Sequence, residues 1–175
     1  MNIRSFFILV LFSLGTINAQ DWQTPVIQGY GEVKYFDKAA VQPNPKSEYK
    51  LLFDIKSEAE KSGVNKELWI MARTLNLLSL AKVPSKNITL VASIHGDATY
   101  LALSDSSYRK KFGTSNPNLD IIEQLKNKGV NLYVCSQATA AREIEVEMIH
   151  PDITPAISGL SVLASYQMKG FILMP

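Results

Sequence analysis

Val130-Asn131-Leu132-Tyr133-Val134-Cys135-Ser136-Gln137 is the stretch on which the fold turns. Behind Gly129, a run of apolar and β-branched side chains reads as a strand ending at Cys135. Ser136 then opens a helix that reaches about Arg142. A strand that passes directly into a helix reaches its sheet neighbour by a crossover, so parallel pairing is expected.

The same pattern recurs on both sides. Tyr49-Lys50-Leu51-Leu52-Phe53-Asp54-Ile55 is a short apolar run suited to a strand covered on both faces. Asn65 can cap the following helix, with Glu67 in its first turn, and Pro84 sets its limit near Lys82. Leu68, Met71, Ala72, Leu75, Leu78 and Ala81 give that helix an apolar stripe. Arg73 and Asn76 fall off the stripe and are expected to face solvent.

Ile88 to His95 is a second strand, closed by Gly96. A helical turn from Ala98 to Leu103, a segment from Tyr108 to Phe112 and the loop Asn116-Pro117-Asn118 follow. Asn118 is expected to cap a helix from Leu119 to Lys128. After Arg142 come a turn near Glu145–Ile149 and a short strand over 152–157. A helix capped by Ser158 and ended by Gly170 leads to the last strand, Phe171 to Met174. Strands alternate with helices and no hairpin signal separates consecutive strands. The expected fold class is α/β, with a mostly parallel five-stranded sheet between helical layers.

The chain begins MNIRSFFILVLFSLGTINAQ. Arg4, the apolar run Phe6 to Leu14 and Ala19 together read as a secretory signal peptide over residues 1–19. That run is shorter than the roughly 20 residues of a spanning helix. Export to the periplasm or beyond is therefore expected, with no membrane span once the leader is removed. Residues 20–48, with Pro25, Gly29, Gly31, Pro43 and Pro45, read as an N-terminal arm, and residues 49–175 as one α/β domain. Lys+Arg number 18 against 16 Asp+Glu, which leaves no basic face for nucleic acid.

Ligands of open parallel sheets bind beyond the C-terminal strand ends. His95 and Cys135 both stand at such ends. Cys135 is the only cysteine, and free N–H groups at the start of the next helix would favour its thiolate. Packing of a small apolar residue is the alternative for Cys135, and a backbone hydrogen bond the alternative for His95. His150 precedes Pro151 in a loop and is given no role. No metal-ligand spacing, CxxC pair, glycine-rich phosphate loop or GxSxG elbow occurs, so no metal or cofactor is expected.

The order and spacing of several short segments resemble the exported branch of the DsrE/DsrF-like proteins, relatives of sulfur-relay subunits. They are Gly29-Tyr30-Gly31, Tyr49 to Ile55, Ala72-Arg73-Thr74-Leu75-Asn76, His95-Gly96-Asp97-Ala98, Asn116-Pro117-Asn118, Gly129-Val130, Val134-Cys135-Ser136-Gln137 and Gln167 to Phe171. The resemblance implies a three-layer α/β/α sandwich and a homo-oligomer, a trimer or hexamer. It also implies a cysteine that carries sulfur as a persulfide to or from a protein partner. Cys135 and His95 would then be the catalytic pair, with Gly96, Asn116, Ser136 and Gln137 as binding positions around them. Ser136 stands where the exported branch usually has glycine, which narrows the approach to Cys135 or adds a hydroxyl donor.

Two functions of different class follow. The chain is either a sulfur carrier working through the Cys135 thiolate, or a non-catalytic small-ligand-binding or oligomeric scaffold module with a structural cysteine.

Overall fold

The computed structural model describes residues 21–174, so the expected leader lies outside the described residues. Among the described residues seven strands occur: β1 (Tyr49–Ile55), β2 (Glu60–Lys61), β3 (Val64–Asn65), β4 (Ile88–Ile94), β5 (Asn131–Cys135), β6 (Ile153–Ala156) and β7 (Ile172–Met174). The helices are α1 (Lys66–Leu80), α2 (Asp105–Phe112), α3 (Leu119–Asn127), α4 (Ser136–Ala140) and α5 (Gly159–Met168). Tighter 3-10 turns cover Ser85–Asn87, Gly96–Ala102 and Val146–Met148. No helix among the described residues is long and apolar enough to cross a membrane.

Five strands form one sheet in the order β6-β5-β4-β1-β7, and every pair in it is parallel. Side chains alternate between its faces, as the period of a strand requires. Leu51, Phe53, Ile55, Leu90, Ala92, Ile94, Leu132 and Val134 point into the larger core, where they meet α1 and α3. Leu52 and Val91 point the other way, into a smaller cluster with Val162 of α5 and the flanking Tyr133, Tyr166 and Phe171. These are the layers of an α/β/α sandwich.

One hairpin stands outside the expected alternation. β2 and β3 pair antiparallel across Ser62-Gly63, both with positive φ (54° and 78°). That is the backbone a two-residue primed turn needs. A ladder of two residue pairs is too short for sequence alternation to reveal it.

The solvent-facing expectation for Asn76 and Arg73 is overturned. Asn76 is 0% exposed. Its Oδ1 accepts from the backbone N–H groups of Val26 and Ile27, and its Nδ2 donates to the carbonyls of Tyr30 and Gly31. Arg73 donates from Nε to the Glu32 carbonyl and lies 4.5 Å from the Trp69 ring centroid. Both side chains hold the N-terminal arm, whose Ile27 joins the main core. Gly31 comes so close that a Cβ there would sit 2.1 Å from the backbone nitrogen of Arg73, which leaves room for glycine alone.

Asn118 occupies the position before α3 but its side chain does not cap it. Instead Oδ1 accepts from the Asn65 N–H and Nδ2 donates to Asn116 Oδ1. Asn65 does cap α1, accepting from Glu67 and Leu68, and Ser158 caps α5 through the Leu160 N–H.

Candidate functional site

Sheet period and register assemble the site. Leu52 and Val91 face α5, so Asp54, Ser93 and His95, an even number of residues further on, face it as well. Tyr133 packs on the same side, which puts Cys135 there too. Asp54 pairs laterally with Ser93 and Ile94 with Val134. Continuing that register by one residue sets His95 beside Cys135. The His95 N–H still donates to the Ile55 carbonyl at 2.9 Å, so the chain is extended until Gly96 turns it.

That turn needs a glycine. Gly96 has φ +57°, and a Cβ on it would lie 2.9 Å from the Lys56 carbonyl oxygen. The same oxygen accepts from the N–H groups of Asp97 and Ala98.

His95, Gly96, Cys135, Gln137, Ala138, Arg142, Ser158, Gly159 and Leu160 line an open cleft of about 410 Å³ at this edge of the sheet. Cys135 is 7% exposed yet belongs to neither packed apolar cluster. Burial pushes its thiol up. The backbone N–H groups of Gly159, Ala138 and Gln137 and the Ser158 hydroxyl outweigh burial and hold it below the ordinary thiol value. Donors converging on a thiolate favour its charged form.

His95 Nε2 lies 2.5 Å from Asp54 Oδ1, and Lys56 Nζ is 3.4 Å from the other carboxylate oxygen. A carboxylate only accepts, so it selects the ring tautomer with hydrogen on Nε2 and leaves Nδ1 as an acceptor. Among the described residues His95 makes no hydrogen bond to Cys135. Gly159 touches both: its N–H turns to the sulfur, and a Cβ on it would be 3.1 Å from His95 Cδ2. Ser93 donates from Oγ to the Gly159 carbonyl at 3.2 Å, holding the residue in place.

The structure brings together Cys135, His95, Gly96 and Gln137. Gln137 contributes its backbone N–H, since its side-chain Nε2 donates to the Ile157 carbonyl. Ser136 sits at the start of α4 without lining the cleft, and its carbonyl accepts from Thr139 Oγ1. Asn116 lies elsewhere. It is 3% exposed, its Nδ2 donates to the carbonyls of Leu101 and Leu103, and its own N–H donates to Asp105. Its amide pins a loop and does not reach the cleft.

Sequence reasoning missed Arg142, Ser158 and Gly159 as cleft residues, and Asp54 as the partner of His95. Asp54 carried a signal, a carboxylate one residue from the end of an apolar strand. Ser158 was legible as a helix cap only. Gly159 and Arg142 carried none, because their place depends on how α4 and α5 meet the sheet.

The sequence model of the DsrE/DsrF-like family matches residues 34–175. No curated protein matches the chain. Among solved structures it is similar to MTH1491 of Methanobacterium thermoautotrophicum, a protein of unknown function. Identity there is 15%, over 73% of this chain and 98% of that one, with a TM-score of 0.47. The YchN protein of E. coli is similar at 16% identity, over 71% and 96% of the two chains, with a TM-score of 0.46.

Proposed function

The chain belongs to the DsrE/DsrF-like family, a sulfur-relay-related family, and from that premise we propose that Cys135 accepts a sulfane sulfur and carries it as a persulfide. The observation that supports this reading is the cleft itself: a thiol that lines it together with His95, lowered by the surrounding N–H groups despite its burial. The Cys135 thiolate attacks the outer sulfur of a persulfide or polysulfide donor. A new Sγ–S bond forms, the donor's S–S bond breaks, and its electron pair leaves on the donor thiolate. The converging N–H groups then hold the terminal persulfide anion. His95, oriented by Asp54, exchanges protons with donor or acceptor thiols in the cleft.

Intact-mass measurement after polysulfide treatment tests this. The wild type should gain sulfur that a reductant removes, and Cys135→Ser should gain none. No gain on the wild type, while a control thiol reacts, defeats the proposal.

A second reading is a ligand-binding or scaffold module with a structural cysteine. The exposed apolar side chains Ile157, Leu160, Met168, Ile172 and Leu173, on and around α5 and β7, favour a homo-oligomer under either reading. Sulfur loading of the wild type, read beside the sedimentation of wild type and Cys135→Ser, separates the two. Equal assembly and equal ligand binding, without sulfur loading, support the scaffold. The leader Arg4, Phe6 to Leu14 and Ala19 supports work outside the cytoplasm, which N-terminal sequencing of the mature protein from a periplasmic fraction checks.

A further inference from the structure

Resting on the persulfide reading, we infer that Arg142 makes the cleft selective for a small sulfur donor with an anionic leaving group, of which thiosulfate is the simplest. Among the described residues, Arg142 is the one Lys or Arg that lines the cleft, and no carboxylate lines it. Its side chain is 22% exposed. Nη1 donates to the Ala138 carbonyl at 3.2 Å, which fixes the guanidinium against α4. Its only carboxylate partner among the described residues, Asp97, is 3.7 Å away with a side chain 77% exposed, so water competes for that contact. A guanidinium has five N–H donors in a planar fork, and most of these remain for a ligand.

Arg142 and Cys135 line the same cleft, so a donor held at the sulfur can present its other end to the guanidinium. Arg142 also borders a neighbouring cavity lined by Lys110, Lys111 and Glu143, whose net positive charge draws anions toward this side. The chemistry balances without another reagent. The Cys135 thiolate attacks the sulfane sulfur of thiosulfate, the Sγ–S bond forms and the S–S bond of thiosulfate breaks. Its electron pair leaves on sulfite, and Arg142 faces the charge gathering there.

The test compares Arg142→Gln and Arg142→Lys with wild type, following persulfide formation on Cys135 by intact mass. Thiosulfate is the probe, and alkylation by neutral iodoacetamide reports the thiol. Arg142→Gln should slow loading from thiosulfate by about 10- to 100-fold, the range for one charge-assisted contact. Arg142→Lys should recover part of it, and alkylation should stay unchanged. An equal fall in loading and alkylation, or no fall in loading, overturns the inference. Wild type that loads from polysulfide but not from thiosulfate overturns it alone; wild type that loads from neither overturns the persulfide reading as well.

Discussion

His95 and Cys135 stand side by side at the mouth of the sheet without a hydrogen bond between them, and Gly159 packs against both. The imidazole is tied to Asp54 on β1. The sulfur faces donors from α4 and from the start of α5. Three adjacent strands and two helices therefore contribute to one small cleft.

The contact at Gly159 carries the first prediction. A methyl group there would approach His95 Cδ2 and Ser93 Oγ to 3.1 Å, so the ring or the start of α5 must shift by a few tenths of an ångström. Gly159→Ala should fold, raise the Cys135 thiol value and slow sulfur loading. The pH dependence of iodoacetamide alkylation checks this; an unchanged profile would show that the Gly159 N–H does not matter to the sulfur.

Cys135 also links pH to stability. Its folded value lies below the ordinary one, so between the two the unfolded chain binds more protons and stability rises with pH. The contribution is fully present above the unfolded value and is lost as pH falls through the folded one. Urea unfolding of wild type and Cys135→Ser should therefore diverge in favour of wild type as pH rises toward about 9. Parallel curves would mean the thiol is not shifted.

Asn116 gives a third expectation. Replacing it by alanine leaves the Leu101 and Leu103 carbonyls without their donor, which costs about 1–3 kcal/mol. Its side chain does not reach the cleft, so Cys135 alkylation in the folded protein should keep the wild-type rate. A reduced rate with unchanged stability would restore Asn116 to the site.

Asn76 is the arm's main anchor among the described residues. Asn76→Ala removes partners from the half-buried N–H of Val26, the buried N–H of Ile27 and the carbonyls of Tyr30 and Gly31. A loss of about 3 kcal/mol is expected, with faster proteolysis between residues 21 and 48 than in the domain. Uniform sensitivity along the chain would contradict that assignment.

These residues also show what could be read from the chain alone. Four of the five sheet strands were legible as apolar runs bounded by turn residues and β6 as a short segment ahead of the Ser158 cap, and the absence of hairpins between them implied parallel order. Cys135 and His95 were legible because strand ends in such sheets are predictable places. Asn76 was not, since its partners are backbone groups from 45 to 50 positions away. Asn116 sits between the two strands in sequence, yet its loop folds away to hold the Leu101–Leu103 backbone. Gly159 and Arg142 depend on helix placement against the sheet, for which one sequence carries no periodic signal.

Alkylation of Cys135 by iodoacetamide in the folded protein, followed across pH, tests most directly whether this sulfur is poised for chemistry. A midpoint below the ~8.5 of an ordinary thiol, with brisk reaction at neutral pH, is the expected result. A midpoint at or above that value, or reaction only after unfolding, would return Cys135 to the role of packing.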